Sequence, residues 1–266
     1  MSYLSKIKKL LSFYTKASSF RKIENQEVSE LIYKILETKE NHKCGGNDIE
    51  KIRKTLLKNE KLIKIEDLGA GSKFSKNPYK TVKTIAKTSL SPKWQCELMA
   101  NIVKEFHSEK ILELGTSLGI CTAYLADANR FGTVYTIEGS ESIAGIAMQT
   151  FASLGLKKIR SNIGPFDIVL PSILNKLDTI DFAFMDGNHR KEPTLKYFDL
   201  ILNKCNDNAV IVIDDIYWSS EMNEAWNEII IHSKVSCSLD FYSFGVILLN
   251  NRFSGNYKVI SSKYKL

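Results

Sequence analysis

The stretch Ile111–Tyr124, ILELGTSLGICTAY, decides the fold. An apolar strand runs through the carboxylate of Glu113 into a turn of small residues that opens a helix. Gly115 and Gly119 let the backbone approach a ligand closely, and free amides at the start of the next helix can meet an anionic group. A second strand, TVYTIEGS, ends in Glu138, where nucleoside-binding folds place a carboxylate against ribose hydroxyls, about 20 residues after the first strand. Together these segments predict a strand, turn, helix and strand that hold a nucleotide-like ligand.

Outward from this turn, the pattern alternates. Strands are expected near 110–114, 133–138, 157–161, 181–185 and 208–214, and helices near 119–130, 140–154, 167–177, 193–205 and 219–232. Such alternation favours a mostly parallel sheet covered on both faces by right-handed crossovers. The last apolar runs, VSCSLDFYS and FGVILLN, lie too close together for a helix between them and predict an antiparallel hairpin. The expected fold is α/β: a doubly wound, Rossmann-like, seven-stranded sheet, mostly parallel with a C-terminal antiparallel hairpin, plus an N-terminal helical extension.

Residues 1–91 form that extension in the expected organisation, and residues 92–266 form the ligand-binding domain. Amphipathic helices are expected near 2–18, 26–39 and 48–59, followed by a loop, EDLGAGSKFSKNPYK, and a helix near 92–106 that packs on the sheet. Within the loop, IEDLGAGS (65–72) copies the acid-x-Gly-x-Gly spelling of a nucleotide turn. The next residues, KFSKNPYK, are polar and include Pro where a helix should open, so a lid over the active site is expected there, with a cofactor turn as the alternative.

A chain of 266 residues with 44% hydrophobic composition can bury one sizeable core. Apolar runs such as AVIVI (209–213) fall well short of the roughly 20 residues that span a bilayer. Lysines 6, 8 and 9 are not followed by the apolar core and cleavage site of a secretory signal, so a cytoplasmic protein is expected. The five cysteines, at 44, 96, 121, 205 and 237, are widely spaced without a Cys-x-x-Cys pair, which points to reduced thiols rather than disulfides or zinc. Of the net charge of +7, residues 1–90 hold 20 Lys/Arg against 10 Asp/Glu, and residues 91–266 hold 17 against 20. Nucleic acid or an anionic membrane is one partner class for such a basic third. Its lysines are interspersed with glutamates along helical faces and no RNA-binding module is spelled out, so a solvated surface is expected. This third is expected to supply the lid, substrate selectivity or a homodimer contact.

The turn admits several ligands. No Gly-Lys-Ser/Thr follows it, which excludes a Walker loop, and Gly115-x-x-x-Gly119 departs from the dinucleotide Gly-x-Gly-x-x-Gly. ILELGTSLG resembles motif I of class I S-adenosylmethionine-dependent methyltransferases, and IEGS resembles their ribose-binding acid; the resemblance covers about residues 92–250. It implies that Glu113, Gly115 and the neighbouring Thr116, Ser117 and Gly119 face the methionine part of the cofactor, with Cys121 where relatives often carry Ser. It also implies that Glu138 takes the ribose hydroxyls and that Gly164, Phe166 and Asp167, in SNIGPFDIVLPSI, hold adenine. The other role open to Asp167 is as a helix N-cap before Ile168.

Two further strands end in acids, Asp186 in DFAFMDGNHR and Asp214 with Asp215 in AVIVIDDIYW. The carboxyl ends of neighbouring strands line one crevice in open α/β sheets, so the three acids should converge. Carboxylates gathered in this way repel unless a cation sits among them, and a hard ion such as Mg²⁺ takes oxygen ligands and acidifies a bound hydroxyl. The spacing, with His189 three places after Asp186, resembles the metal-dependent O-methyltransferases of the catechol and macrolide-sugar types. That resemblance implies Asp186, Asp214 and Asp215 as metal ligands, Asp186 also as a cofactor and catalytic contact, and His189 as general base. The chain departs from both types, since the catechol group has Asn at the Asp215 position and the sugar group has Glu at the Asp214 position. Adjacent side chains of a strand point to opposite faces, so Asp214 and Asp215 can share an ion only if the strand ends between them. Metal-free acceptance of substrate hydrogen bonds and a structural role for His189 are the alternatives.

Trp94, Tyr217 and Trp218 are candidates to wall an acceptor pocket, whereas Trp226 lies in a helical pattern and is expected to be packing. Arg190 and Lys191 could hold an anionic substrate group. The expected activity is methylation of a hydroxyl on a small molecule, a sugar or a vicinal diol, assisted by a divalent cation. The alternatives are an RNA methyltransferase docking through the basic third and a non-catalytic S-adenosylmethionine-binding protein.

Overall fold

A computed structural model describes residues 3–37, 46–65, 78–129 and 131–260. In chain order come α1 (Tyr3–Lys16), β1 (Ser18–Ser19), α2 (Gln26–Glu37), α3 (Gly46–Leu56), β2 (Leu62–Lys64), β3 (Tyr79–Thr81), α4 (Val82–Ser89) and α5 (Lys93–Glu105). The alternating part continues as β4 (Lys110–Leu114), α6 (Ile120–Ala128), β5 (Thr133–Glu138), α7 (Glu141–Ser153), β6 (Ile159–Ile163), α8 (Phe166–Leu174), β7 (Ile180–Met185), α9 (Lys191–Leu202), β8 (Cys205–Asp214) and α10 (Ser220–Ile229). Last come β9 (Cys237–Asp240), β10 (Phe244–Leu248) and β11 (Gly255–Ile260). The expected lid, IEDLGAGS, lies outside the described residues except for Ile65.

Contacts divide the chain into two compact units, one of residues 39–178 and one of residues 1–38 with 179–266. The first, here the turn unit, contains the parallel strands β4, β5 and β6 with β5 in the middle. Ile111, Leu112, Glu113 and Leu114 of β4 are all buried, the pattern of a strand covered on both faces. Helix α6 is buried continuously from Ile120 to Leu125 because it is apolar around its circumference, and α5 packs against it. Helix α4 is capped by Thr81, whose side chain accepts from the Thr84 amide.

The second, the acid unit, orders its strands β1-β11-β9-β10-β8-β7. Strand β10 runs antiparallel to both β8 and β9, which is the expected terminal hairpin, while the β1–β11, β11–β9 and β7–β8 pairs are parallel. Gly245 in β10 is required by its neighbour: a Cβ there would lie 2.3 Å from the Trp226 ring, which is buried as packing. Among the described residues, these six strands and β4, β5 and β6 make nine where seven are expected, and β2 and β3 of the turn unit pair separately. The additional two are β1, too short to leave a periodic signal, and β11, whose GNYKVI has only one fully buried residue, Val259. Among the described residues, no helix is long and apolar enough to cross a membrane.

Candidate active site

In the turn unit, β4 delivers the chain into a run of left-handed backbone. Gly115 (φ +101°), Ser117 (φ +48°) and Gly119 (φ +82°) have conformations that glycine adopts at little cost. Gly119 is doubly constrained, since a Cβ would also meet the Phe151 ring at 2.6 Å. The Gly115 and Thr116 amides donate to Ile137 O at 3.0 and 3.2 Å, so the turn is tied to β5 rather than free.

Glu113 is completely buried. Its Oε2 accepts from Thr122 Oγ1 at 2.5 Å and Thr136 Oγ1 at 2.6 Å, and Thr116 joins the same hydroxyl chain at 2.6 Å from Thr136. Among the described residues, Oε1 has no hydrogen-bond partner of ordinary geometry, although the Cys121 thiol also interacts with the carboxylate. Burial pushes the carboxyl up to about 7, against the opposing pull of the Thr122 and Thr136 hydrogen bonds. Cys121, nearly buried, places its Sγ 3.7 Å from Met99 Sδ.

Glu138 closes β5. Its Oε2 accepts from the Ser117 amide at 2.9 Å and its Oε1 from the Ser140 amide at 3.0 Å, so one carboxylate fixes both the turn and the entry to α7. Burial raises its pKa while the amide hydrogen bonds oppose the rise. Each oxygen keeps acceptor capacity for a further donor. Gly164 (φ +137°) donates its amide to Glu138 O at 2.9 Å, which links the 164–167 loop to the same strand end. Phe166 begins α8 with Pro165 in the cap position, so Asp167 is an exposed first-turn residue and not the N-cap.

In the acid unit, Asp186 follows β7 directly and His189 stands before α9, behind a left-handed Asn188 (φ +54°). His189 Nε2 lies 3.6 Å from Asp186 Oδ1 and 3.7 Å from Asp215 Oδ2. Burial lowers the His189 pKa below its usual 6.5, with Asp215 acting in the opposite direction. The imidazole is therefore neutral near pH 7 and able to accept a proton. Strand β8 ends at Asp214 and Asp215 has φ +57°, so the strand does end between the paired acids. Among the described residues, no group of three or more His, Cys, Asp or Glu could hold a metal ion.

The expected residues thus assemble into two sets, each within its own unit. Glu113, Gly115, Thr116, Ser117, Gly119, Glu138 and Gly164 are joined around the ends of β4 and β5, and Asp186, His189 and Asp215 around the ends of β7 and β8. Trp218 is exposed beside the second set and donates its amide to Asp215 O at 2.8 Å. Lys191 is paired with Glu224 and Glu228, and Arg190 Nε donates to Asn188 Oδ1 at 3.0 Å. The sequence reading missed Thr122 and Thr136, which donate to Glu113 Oε2. It also missed Asp240, although an acid inside the apolar run of β9 signals that a partner must exist.

Comparison with known proteins bears on both sets. Residues 112–216 match the family described as "Methyltransferase domain" (Methyltransf_24), a span that starts in β4 and ends just past Asp215. The fold is shared with an O-methyltransferase from Bacillus cereus solved with SAH, at 20% identity over 84% of this chain and 97% of that one (TM-score 0.55). It is also shared with TomG from Streptomyces achromogenes, an O-methyltransferase of tomaymycin synthesis solved with SAM, at 21% identity over 60% and 82% (TM-score 0.53). Cofactor-bound Rv0187 from MTB aligns over 88% of this chain and all of its own, at 16% identity (TM-score 0.58). No curated protein matches the sequence.

Proposed function

We propose that this chain, whose residues 112–216 match a methyltransferase domain and whose fold is shared with O-methyltransferases solved with SAM and SAH, transfers a methyl group from S-adenosylmethionine to a hydroxyl of a small molecule, a sugar or a vicinal diol of the catechol type. The observation that carries this is the imidazole of His189 bracketed by the carboxylates of Asp186 and Asp215, with burial holding its pKa below the usual value. Such a group is a general base for a hydroxyl, and an amine acceptor, nucleophilic once unprotonated, has less need of one.

Bound S-adenosylmethionine supplies an electrophilic sulfonium methyl and departs as S-adenosylhomocysteine. The turn unit holds it. Glu138, already fixed by two amides, accepts from the ribose hydroxyls, and Gly115 to Gly119 bring backbone close to the methionine portion. Glu113 offers its Oε1 to that portion, and Asp167 accepts from the adenine amine at the start of α8. In the acid unit, His189 Nε2 takes the proton from the acceptor hydroxyl. The flanking carboxylates of Asp186 and Asp215 stabilise the imidazolium that forms.

Divalent-metal assistance is the finer part of the proposal. Magnesium is commonly held by one or two carboxylates with water and substrate oxygens completing its shell, and Asp186 and Asp215, with Asp214 adjoining, offer that chemistry without a third converging ligand. The ion would supply a Lewis acid to the acceptor oxygen.

Labelled methyl transfer from S-adenosylmethionine into a panel of sugars, catechols, amines and RNA, with and without EDTA, tests the proposal. Label on hydroxyls, lost with EDTA and restored by magnesium, is the expected result. Label confined to amine, carbon or RNA acceptors contradicts the proposal, and hydroxyl transfer indifferent to EDTA removes the metal alone.

A further inference from the structure

Asp215 holds a left-handed conformation, uncommon outside glycine though milder for an aspartate than for most residues, and its surroundings fix it there. The enforcing contacts come from the hairpin between β9 and β10. The Asp215 amide donates to Ser243 O at 2.7 Å, and Phe244 at the start of β10 pairs in register with Asp214. Two residues beyond Asp215, the Tyr217 ring stacks on Tyr242 of the hairpin at 4.9 Å and 12°. Tyr242 is itself left-handed (φ +68°). The turn carrying Asp215 and the hairpin tip are therefore two strained loops locked against each other.

One carboxylate ties the lock together. Asp240, 4% exposed at the end of β9, accepts from Tyr217 Oη at 2.8 Å and from Lys258 Nζ of β11 at 2.9 Å through Oδ2. Through Oδ1 it accepts from the Tyr242 amide at 2.9 Å. Lys258 also donates to Tyr217 Oη, and its ammonium lies over the Tyr217 and Phe13 rings at 5.1 and 5.4 Å. Phe13 of α1, 2% exposed, packs its edge on both tyrosines and closes the cluster. Every hydrogen bond to Asp240 thus fastens one side of the lock, and none leads to His189 directly.

We propose that Asp240 is a positioning residue: with Tyr217 and Lys258 it anchors the turn after β8, and through that turn it sets the Asp215 carboxylate against His189. Its bearing on catalysis rests on the proposed role of His189 as base. Helix α1 and strand β11 are then supports of the catalytic turn rather than appendages to it.

The test needs neither cofactor nor acceptor. The imidazole resonances of histidine-labelled protein are recorded at pH 8, above the ordinary imidazole value of about 6.5. The chain has four histidines, so H189Q assigns the signal. D215N defines the displacement caused by losing the carboxylate beside the ring. D240N should move the His189 resonance by at least about half of that displacement, and Y217F, which keeps the stacked ring and loses only the hydroxyl, should move it the same way by less. In D215N/D240N the second substitution should add nothing, because coupled residues are not additive. A His189 resonance unmoved in folded Y217F and D240N overturns the proposal, as does a full additional displacement in the double variant. Should D240N fail to fold, Y217F alone decides. Failure of these shifts leaves the proposed methyl transfer intact, and failure of methyl transfer leaves the positioning result intact.

Discussion

The turn after β4 and the acids after β7 and β8 are both strand ends that carry carboxylates, yet they are built in opposite ways. Around the turn, backbone does the holding: Glu138 accepts two amides, Gly115 and Thr116 are tied to Ile137, and Glu113 is sealed from solvent. Around the acids, the backbone of the Asp215 turn is tied to the hairpin, but the contacts that converge on His189 are made by side chains. Asp186 and Asp215 keep 21% and 38% of their side-chain surface, and their approach to His189, at 3.6 and 3.7 Å, is too long for a hydrogen bond. A rigid backbone cradle suits a donor that is the same in every turnover. A looser side-chain set suits a proton acceptor whose contacts tighten only when substrate arrives.

The contrast predicts that substitutions in the two regions fail differently. His189→Gln should lower the methyl-transfer rate by about 10²–10⁴-fold with little effect on stability, as measured by turnover and thermal melting. Gly119→Ala should act through the fold: a left-handed non-glycine and a crowded Phe151 together cost roughly 2–4 kcal/mol, visible in denaturant unfolding, with weaker S-adenosylmethionine binding.

Glu113 sharpens the comparison through pH. Its folded pKa, about 7, lies above the ordinary value of 4.5, so the folded state holds the proton more tightly than the unfolded chain. Its contribution is fully present below pH 4.5 and is lost as pH rises through 7. The stability of the ligand-free protein relative to Glu113→Gln should therefore fall by up to about 3 kcal/mol between those values, as read from urea unfolding at each pH. The smallest effect is expected at the rim of the cradle, where Asp167→Asn should weaken S-adenosylmethionine binding by about fivefold in calorimetry, the worth of one exposed hydrogen bond. A loss larger than that of Gly119→Ala would reverse the ranking of backbone over side chain.

The turn was legible because its constraint is local. ILELGTSLG spells a buried strand, a glycine at each left-handed position but one, and the helix start, and the structure realises it within one or two residues. The rule that strand ends converge brings Asp186, Asp214 and Asp215 together in the sequence reading, and the resemblance adds His189; in the structure His189 lies between Asp186 and Asp215. What remained hidden depends on tertiary pairing. Strand β1 has two residues and exists because β11 offers an edge, and neither leaves an alternating apolar signature. Likewise, Tyr217, Asp240 and Lys258 are spread over 41 residues and meet only because β9 and β11 pair in parallel beside the hairpin. The buried position of Asp240 was a signal in the sequence, but its partners were not.

The division between a cradle for the donor and a base for the acceptor is tested most directly by one paired measurement on His189→Gln. S-adenosylmethionine affinity from calorimetry is set beside the rate of labelled methyl transfer to a hydroxyl acceptor, each relative to the unsubstituted protein. Affinity within about twofold and a rate reduced at least 100-fold is the predicted outcome, the mark of an interaction made only in the transition state. An unchanged rate, or affinity and rate falling together, would contradict it.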